Sequence, residues 1–200
     1  MATSTGGSTG PVEPSKVLDF LRVVGGLKRT KRTGWVHRGV DDPESVADHS
    51  YRMAMCAFLA DGDAYDRNRV MKLAVVHDLA ESLVGDIAPH QKVSNEDKAR
   101  MELEAMERIT SSIGHEAIAA EILDLFTDYE EQRTPEAQLV KEIDKFEMIV
   151  QADEYEREQG KELQEFFDST AASFQTPMMA SWNAELRRQR DARRGGGEEG

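Results

Sequence analysis

Apolar residues recur at intervals of three or four positions along most of the chain, and this periodicity decides its fold class. Val17, Leu21 and Val24 form one such stripe, and Val140 and Ile143 belong to another. Residues at these intervals lie on one face of an α-helix. The apolar-polar alternation that is typical of β-strands is absent from the sequence. The sequence therefore predicts an all-α fold.

Start signals for helices divide this pattern into separate elements. Pro14-Ser15 begins the first helix, Ser94 with Asp97 resembles a capping box, and Thr134-Pro135 places a cap before a proline at the first helical position. A loop that contains glycine is expected at 85–90. The predicted helices cover, approximately, residues 15–27, 43–59, 66–78, 94–113, 118–126, 135–150, 161–173 and 177–188.

The 200 residues suit one folded domain, which we expect at 15–188. Residues 1–14, rich in Gly, Ser, Thr and Pro, and residues 189–200, rich in Arg and Gly, are expected to be disordered tails. No apolar run approaches the ~20 residues that span a bilayer. The N-terminus also lacks the basic start and apolar segment of a secretory signal. We therefore expect a cytoplasmic protein that could also enter the nucleus.

The charge and the cysteine content exclude several classes of function. A formal net charge of −13 repels polyanions, so duplex DNA and RNA are not expected partners. A small anionic substrate requires bound cations or a local basic cluster that reverses the sign of the charge. Cys56, the single cysteine, excludes an intramolecular disulfide. Because it lies in an apolar stretch, we interpret it as a packing residue rather than a catalytic thiol.

Three ionisable residues occupy helix faces that are otherwise apolar. His49 lies three residues after Val46, Asp144 lies four residues after Val140, and His77 follows a similar apolar stripe. Positions at these spacings share a helix face, so the three side chains should point inward. Burying a carboxylate is costly unless a cation or strong donors surround it. A divalent metal ion would satisfy all three groups.

Asp78 adjoins His77 and lies about 100° further around the same helix, so both can reach one ion at the helix edge. Two imidazoles and two carboxylates suit Mn, Fe, Co or Zn and, less well, Mg. The alternative is that His77-Asp78 is an ordinary pair in the core, which is the more frequent case for an isolated pair. An inward His on an earlier helix and an inward Asp on a later one favour the metal site.

The order H…HD…D on helices resembles the HD phosphohydrolase superfamily, and the local sequence resembles its 5'-deoxynucleotidase branch. The resemblance covers about residues 15–185 and implies a single HD-domain helical bundle that hydrolyses deoxyribonucleoside 5'-monophosphates to deoxyribonucleoside and phosphate. It also implies a homodimer and one or two divalent ions per subunit. The matching stretches are 43–50 (PESVADHS), 77–81 (HDLAE), 85–87 (GDI) and 142–145 (EIDK).

Two further carboxylates accompany His77-Asp78, which we call the HD pair. Glu81 lies four residues after His77, over the same site, and Asp86 follows in a turn that contains glycine. The resemblance implies either that the two act as general acid and base or that they bind a second ion with the backbone carbonyl of Ile87. The sequence does not choose between these roles. The alternative is that Glu81 is a solvated helix residue and Asp86 a cap or turn residue.

A basic segment, which contains Lys28, Arg29, Lys31 and Arg32, precedes His49, the first histidine of the motif. The resemblance implies that an Arg and a Trp in this segment contact the phosphate and the deoxyribose, and Trp35, fourteen residues before His49, fits that Trp. An indole against C2' would leave little room for a hydroxyl. Arg32 is the candidate for the Arg, because a guanidinium binds phosphate oxygens with two donors. Thr33-Gly34 separates it from Trp35, so Lys31 and Arg38 remain alternatives, and Trp35 could instead be a core residue.

Other activities compete with this interpretation. Cyclic-nucleotide hydrolysis by HD enzymes usually uses additional imidazoles, and of the five histidines only His90 is available. His90 and Lys92 could also hold phosphate or lie in a surface loop, while His37 and His115 are expected to be structural or exposed. Triphosphate hydrolysis needs more basic residues. A catalytically silent helical module that binds a nucleotide or a protein partner is the third alternative.

Overall fold

The structure is a computed structural model that describes residues 10–88 and 91–195. Within these ranges the chain forms helices and no β-strand, which confirms the all-α prediction. None of the helices in the described ranges is both long and apolar enough to cross a membrane. The helices are α1 (Pro14–Val24), α2 (Thr33–His37), α3 (Val46–Ala57), α4 (Arg67–Val76), α5 (Glu81–Val84), α6 (Asn95–Ile113), α7 (Glu116–Glu131), α8 (Pro135–Gln159), α9 (Gln164–Ser169) and α10 (Pro177–Gly195).

The predicted start signals of the two longest central helices are confirmed. The Ser94 hydroxyl accepts the Asp97 backbone N–H at 3.0 Å at the start of α6. The Thr134 hydroxyl accepts the Ala137 N–H at 3.2 Å, with Pro135 at the first position of α8. Each helix ends at a glycine in the left-handed conformation, which a residue without Cβ adopts without strain.

Several helix boundaries differ from the sequence prediction, and α8 extends nine residues beyond its predicted end, to Gln159. The short helices α2 and α5 were not predicted, and α4 ends at Val76, before the HD pair. The C-terminal tail was expected from residue 189, but α10 continues to Gly195 with Arg190 buried. Composition could not reveal this extension, because it depends on carboxylates that α8 supplies. At the other end α1 begins at Pro14, and residues 1–9 lie outside the described ranges.

The chain divides into two compact units. The first consists of Met1–Tyr51 and Val75–Glu131, and the second of Arg52–Ala74 and Gln132–Gly200. In the first unit, α6 packs along α7, and both α1 and α5 pack against α6. Met106 and Ile109 of α6, with Leu125 and Phe126 of α7, are buried in its core. Leu125 and Phe126 belong to the apolar pattern that predicted α7, whereas the capping box at Ser94 predicted α6.

In the second unit, α8 packs against α9 and α10. Leu139 and Ile149 of α8 are buried, as are Phe167 of α9 and Met179 of α10. Burial raises the pKa of the half-buried Cys56 thiol to about 11. A neutral thiol of this kind is not a nucleophile at physiological pH, in agreement with the packing role that the sequence predicts.

Arg52 of α3 connects this helix to α8 inside the second unit. Its guanidinium donates to Glu147 Oε1 at 2.7 Å, Gln151 Oε1 at 2.6 Å and Glu154 Oε2 at 2.7 Å. The Glu147 side chain is fully buried, so its charge depends on this cation. The three acceptors lie on one face of α8, and Arg52 therefore holds α3 along that face.

Candidate metal centre

The first turn of α3 places His49 in the interior. Asp48 Oδ2 accepts the Ser45 backbone N–H at 2.9 Å and the Ser45 hydroxyl at 2.7 Å. These hydrogen bonds lower the pKa of Asp48 and cap the helix. The Val46 N–H donates to the Thr30 carbonyl at 2.9 Å, which ties α3 to the basic segment. His49, the next residue on the inner face, has no exposed surface.

His77 follows directly after the last residue of α4 and is 2% exposed. Its ring centroid lies 5.5 Å from that of His49, with an angle of 61° between the ring planes. A second ring, that of Tyr129 on α7, lies 5.0 Å from His77 at 64°. The structure therefore brings the two predicted imidazoles together in a buried aromatic environment.

Asp78 lies beside His77, as its position in the sequence requires. Its Oδ2 atom is 3.1 Å from His77 Nε2 and 3.2 Å from Arg32 Nη1. Burial alone would raise the pKa of Asp78, but its interactions with His77 and Arg32 outweigh burial and hold the pKa well below its ordinary value. The carboxylate is therefore ionised at neutral pH, which is the form that binds a cation.

The basic residues near α2 occupy different positions. The Arg32 guanidinium reaches Asp78 through a part-buried hydrogen bond of 3.2 Å. Lys31 instead lies at the surface, where its ammonium pairs with the exposed Asp42 at 3.2 Å. Arg38 is exposed at the end of α2. Of these three alternatives for the phosphate-binding residue, Arg32 is the one that the structure places at the HD pair.

Glu81 is the first residue of α5 and is 3% exposed. Burial and the nearby Asp78 and Asp86 carboxylates raise the pKa of Glu81 to about 10. Among the described residues its buried Oε2 atom has no hydrogen-bond partner. A buried, unsatisfied carboxyl oxygen is costly. Near it, the two imidazoles and the ionised Asp78 carboxylate form a donor set that fits a divalent cation.

Asp86 makes two hydrogen bonds to the start of α2. Its Oδ2 atom accepts the Thr33 backbone N–H at 2.5 Å, and its own carbonyl accepts the Thr33 hydroxyl at 2.7 Å. Gly85, at φ 79°, provides the turn that brings Asp86 to this position. Ile87 follows and is partly buried. The turn and cap role that the sequence offered as the alternative for Asp86 is therefore present in the structure.

Trp35 is 2% exposed, and its indole Nε1 donates to Glu44 Oε1 at 2.8 Å. The segments that contain Trp35 and Glu44 are joined by an antiparallel β-bridge between Lys31 and Ser45. The Arg32 backbone N–H also donates to the Glu44 carbonyl at 3.1 Å. The indole is therefore fixed within the core by Glu44, whose backbone carbonyl also holds Arg32.

Several residues around the site were not singled out in the sequence. Glu44 holds the Trp35 indole and Thr33 holds Asp86. On α6, Lys98 pairs with Glu102 at 3.6 Å, and burial and nearby acidic groups raise the pKa of Glu102 to about 7. Glu44 stands inside the 43–50 stretch and could have been found there. The other residues belong to no motif that the sequence shows.

Asp144 belongs to the second unit, where it lies on α8. The neighbouring Val140 and Ile143 are fully buried, and the Asp144 side chain is 19% exposed. The Lys141 ammonium lies 3.9 Å from its Oδ2 atom. The partial burial agrees with the inward orientation that the helical spacing predicts.

The remaining histidines are His37, His90 and His115. The His115 Nδ1 atom accepts the Ile118 N–H at 3.4 Å near the start of α7, which is a structural role. His37 is exposed at the end of α2, and Lys92 is also exposed. His90 lies outside the described residues.

Comparison with known proteins identifies the family. Residues 24–184 match the model of a family described as "HD domain". A mouse protein named 5'-deoxynucleotidase HDDC2 is 47% identical over 178 residues, which are 88% of this chain and 89% of the mouse protein. A zebrafish protein of the same name is 51% identical over 163 residues, covering 80% of this chain and 81% of that protein.

A solved structure shows the same fold. It is described as a conserved hypothetical protein from Pyrococcus furiosus, and it aligns with a TM-score of 0.73 at 34% sequence identity. The alignment covers 86% of this chain and 99% of the archaeal chain.

Proposed function

The chain belongs to the HD domain family, and we propose that it is a metal-dependent 5'-deoxynucleotidase. It hydrolyses deoxyribonucleoside 5'-monophosphates to deoxyribonucleoside and phosphate. The observation that carries this proposal is the buried contact of His49, His77 and Asp78, which presents two imidazoles and an ionised carboxylate. The relatives named 5'-deoxynucleotidase, with identities near one half, support the substrate class.

We propose that His49, His77, Asp78 and Asp144 hold one divalent ion. Three of these donors contact one another in the first unit. The assignment of Asp144 rests on the H…HD…D order and on its inward helical position. When bound, such an ion supplies Lewis-acid activation of a water molecule and of a phosphoryl oxygen. The chain's own residues must then orient the phosphate, handle the proton and enclose the sugar.

Arg32 is proposed to bind the phosphate. Its guanidinium already lies at the HD pair, 3.2 Å from Asp78, and its planar donors match two phosphate oxygens. This positive charge also weakens, near the site, the repulsion that a net charge of −13 exerts on an anionic substrate.

Replacing Arg32 with glutamine should lower kcat/KM for a deoxyribonucleoside monophosphate. Loss of a hydrogen bond to a charged group costs about 1.5–3 kcal/mol, which corresponds to a decrease of roughly 10–100-fold. The matched control is Lys31→Gln, since Lys31 is close in sequence but pairs with Asp42 at the surface. Steady-state phosphate release measures both variants, and an unchanged kcat/KM in Arg32→Gln would remove Arg32 from the phosphate site.

Glu81 is proposed to handle the proton of the reaction. Its Oε2 atom is buried and unsatisfied among the described residues, so it can accept or donate a hydrogen bond to a substrate group. Asp86 is already engaged with Thr33, and we propose that it acts mainly by holding α2 and Arg32 in place. A second ion bound by Glu81, Asp86 and the Ile87 carbonyl is the alternative. The stoichiometry of bound metal, measured by elemental analysis, distinguishes one ion from two.

Trp35 is proposed to form a rigid wall beside the sugar rather than a mobile stacking partner. The indole is buried and its Nε1 atom is held by Glu44, so its position cannot adapt to a larger ligand. A fixed wall that touches C2' discriminates against a ribose hydroxyl. A ratio of deoxyribose to ribose kcat/KM that stays unchanged in Trp35→Leu would exclude this role.

The experiment that tests the proposed function is phosphate release from a panel of deoxyribo- and ribonucleoside monophosphates. The protein is first treated with a chelator, and Mn²⁺ or Co²⁺ is then restored. We expect release from the deoxyribonucleotides only after metal is restored. Cyclic nucleotides and triphosphates are incubated in parallel, and their hydrolysis is followed by chromatography because opening a cyclic phosphodiester releases no phosphate. Hydrolysis of these alone would indicate a different HD reaction, and no hydrolysis of any nucleotide would indicate a silent binding module.

We also propose that the protein forms a homodimer, because the resemblance implies one. Tyr51 and Met55 of α3, and Phe58 and Leu59 just after its end, are exposed in the single chain. Exposed apolar side chains close together in the sequence are typical of an interaction surface. Light scattering in solution tests the proposal, and a monomer mass at micromolar concentration would contradict it.

A further inference from the structure

A buried tyrosine contacts the histidine of the HD pair from a helix that carries none of the proposed metal ligands. Tyr129 lies near the end of α7 and is 2% exposed. Its ring centroid is 5.0 Å from that of His77, and the two planes meet at 64°. This is an edge-to-face arrangement, which is a favoured geometry for two aromatic rings.

The contact with Tyr129 restricts the orientation of the His77 imidazole. His77 follows the last residue of α4, so no further turn of that helix fixes its side chain. The ring meets His49, with centroids 5.5 Å apart. It also meets the buried Tyr129 ring, with centroids 5.0 Å apart, and this second contact restricts rotation of His77 about its side-chain bonds. Loss of a group that orients a metal-ligating imidazole typically lowers metal affinity by about 10–100-fold.

We propose that Tyr129 is a positioning residue of the metal centre, whose aromatic ring holds the His77 imidazole in the orientation that binds the ion. The proposal rests on the proposed function, because it assumes that His77 is a ligand. Tyr129 acts through His77 and does not touch the ion or the substrate. The aromatic ring, rather than the hydroxyl, carries this role, since it is the ring that meets His77.

The test compares Mn²⁺ affinity, measured by isothermal titration calorimetry without substrate, in three variants. Tyr129→Phe keeps the ring and should bind Mn²⁺ within about twofold of the wild type. Tyr129→Leu removes it and should weaken binding by roughly tenfold or more, in line with the loss of other groups that orient ligands. Phosphate release by Tyr129→Leu should recover when excess Mn²⁺ is added.

Phe126→Leu is the matched control. Phe126 lies one turn earlier on α7 and is buried to a similar extent, 4% exposed. The Phe126→Leu variant loses the same kind of ring and opens a similar cavity. It should therefore lower the melting temperature as Tyr129→Leu does, while its Mn²⁺ affinity stays unchanged. Circular dichroism checks that each variant remains helical.

Two results overturn the inference. One is a Tyr129→Leu protein that binds Mn²⁺ as tightly as Phe126→Leu. The other is a Tyr129→Phe protein that binds as weakly as Tyr129→Leu, because the hydroxyl would then carry the effect. Failure of the wild type to bind Mn²⁺ would contradict the proposed function itself and the inference with it. Substrate is absent from the titration, so a wrong substrate assignment leaves these outcomes unaffected.

Discussion

Replacing Asp78 with alanine is expected to abolish phosphate release and to weaken metal binding by more than about 100-fold. Removal of groups that only orient metal ligands already costs about 10–100-fold in affinity, and Asp78 is proposed as a ligand itself. Its carboxylate is held ionised beside His77 and Arg32, so no neutral side chain can replace its charge. Calorimetry with Mn²⁺ and a phosphate-release assay measure the two effects.

The fold should survive this substitution. Asp78 is partly buried and follows α4 rather than forming its core, so far-ultraviolet circular dichroism should remain close to that of the wild type. Asp42→Ala is the control, because this aspartate is exposed and pairs only at the surface with Lys31. An Asp78→Ala protein that retained wild-type turnover would refute the proposed mechanism.

Replacing Arg190 with methionine is expected to lower stability by about 3 kcal/mol without loss of activity at low temperature. Arg190 is 4% exposed, and its guanidinium makes two hydrogen bonds of 2.7 Å to Glu156 and one of 2.8 Å to Gln164. The guanidinium carbon also lies 3.8 Å from the centre of the Phe167 ring. Methionine would leave the Glu156 carboxylate without its main counter-charge. For a chain of this length the melting temperature should fall by roughly 6–12 °C.

The control for this effect is Arg188→Met on the same helix. Arg188 pairs with Glu185 in solvent, and surface pairs of this kind contribute little to stability. Differential scanning calorimetry measures both variants. A melting temperature in Arg190→Met equal to that in Arg188→Met would show that α10 contributes little beyond residue 188. That outcome would favour the tail that the sequence predicts from residue 189.

The sequence predicted the long helices because each has its own apolar periodicity and start signal. The capping residues Ser94 and Thr134 are examples, since a cap acts within one turn and is visible locally. The end of α10 was missed because its stabilisation is not local. Arg190 is polar, and only the structure shows that Glu156 and Gln164 of other helices surround it.

In the candidate site, too, local features could be predicted from the sequence and contacts between separate elements could not. The inward positions of His49 and His77 follow from spacing within their own segments, and the structure confirms that both are buried. The contacts of Trp35 with Glu44 and of His77 with Tyr129 join separate elements of the first unit. No periodicity encodes such contacts. The sequence already favoured Arg32 over Lys31, but the contact of Arg32 with Asp78 joins distant residues and is visible only in the fold.

Four side chains from three stretches of the sequence are proposed to bind one metal ion. The most direct measurement is a crystal structure of the Mn²⁺-loaded protein, with anomalous diffraction to locate the metal. We expect a strong anomalous peak bonded to His49, His77, Asp78 and Asp144. A peak bonded to other residues, or a metal held without Asp144 or without either imidazole, would contradict it.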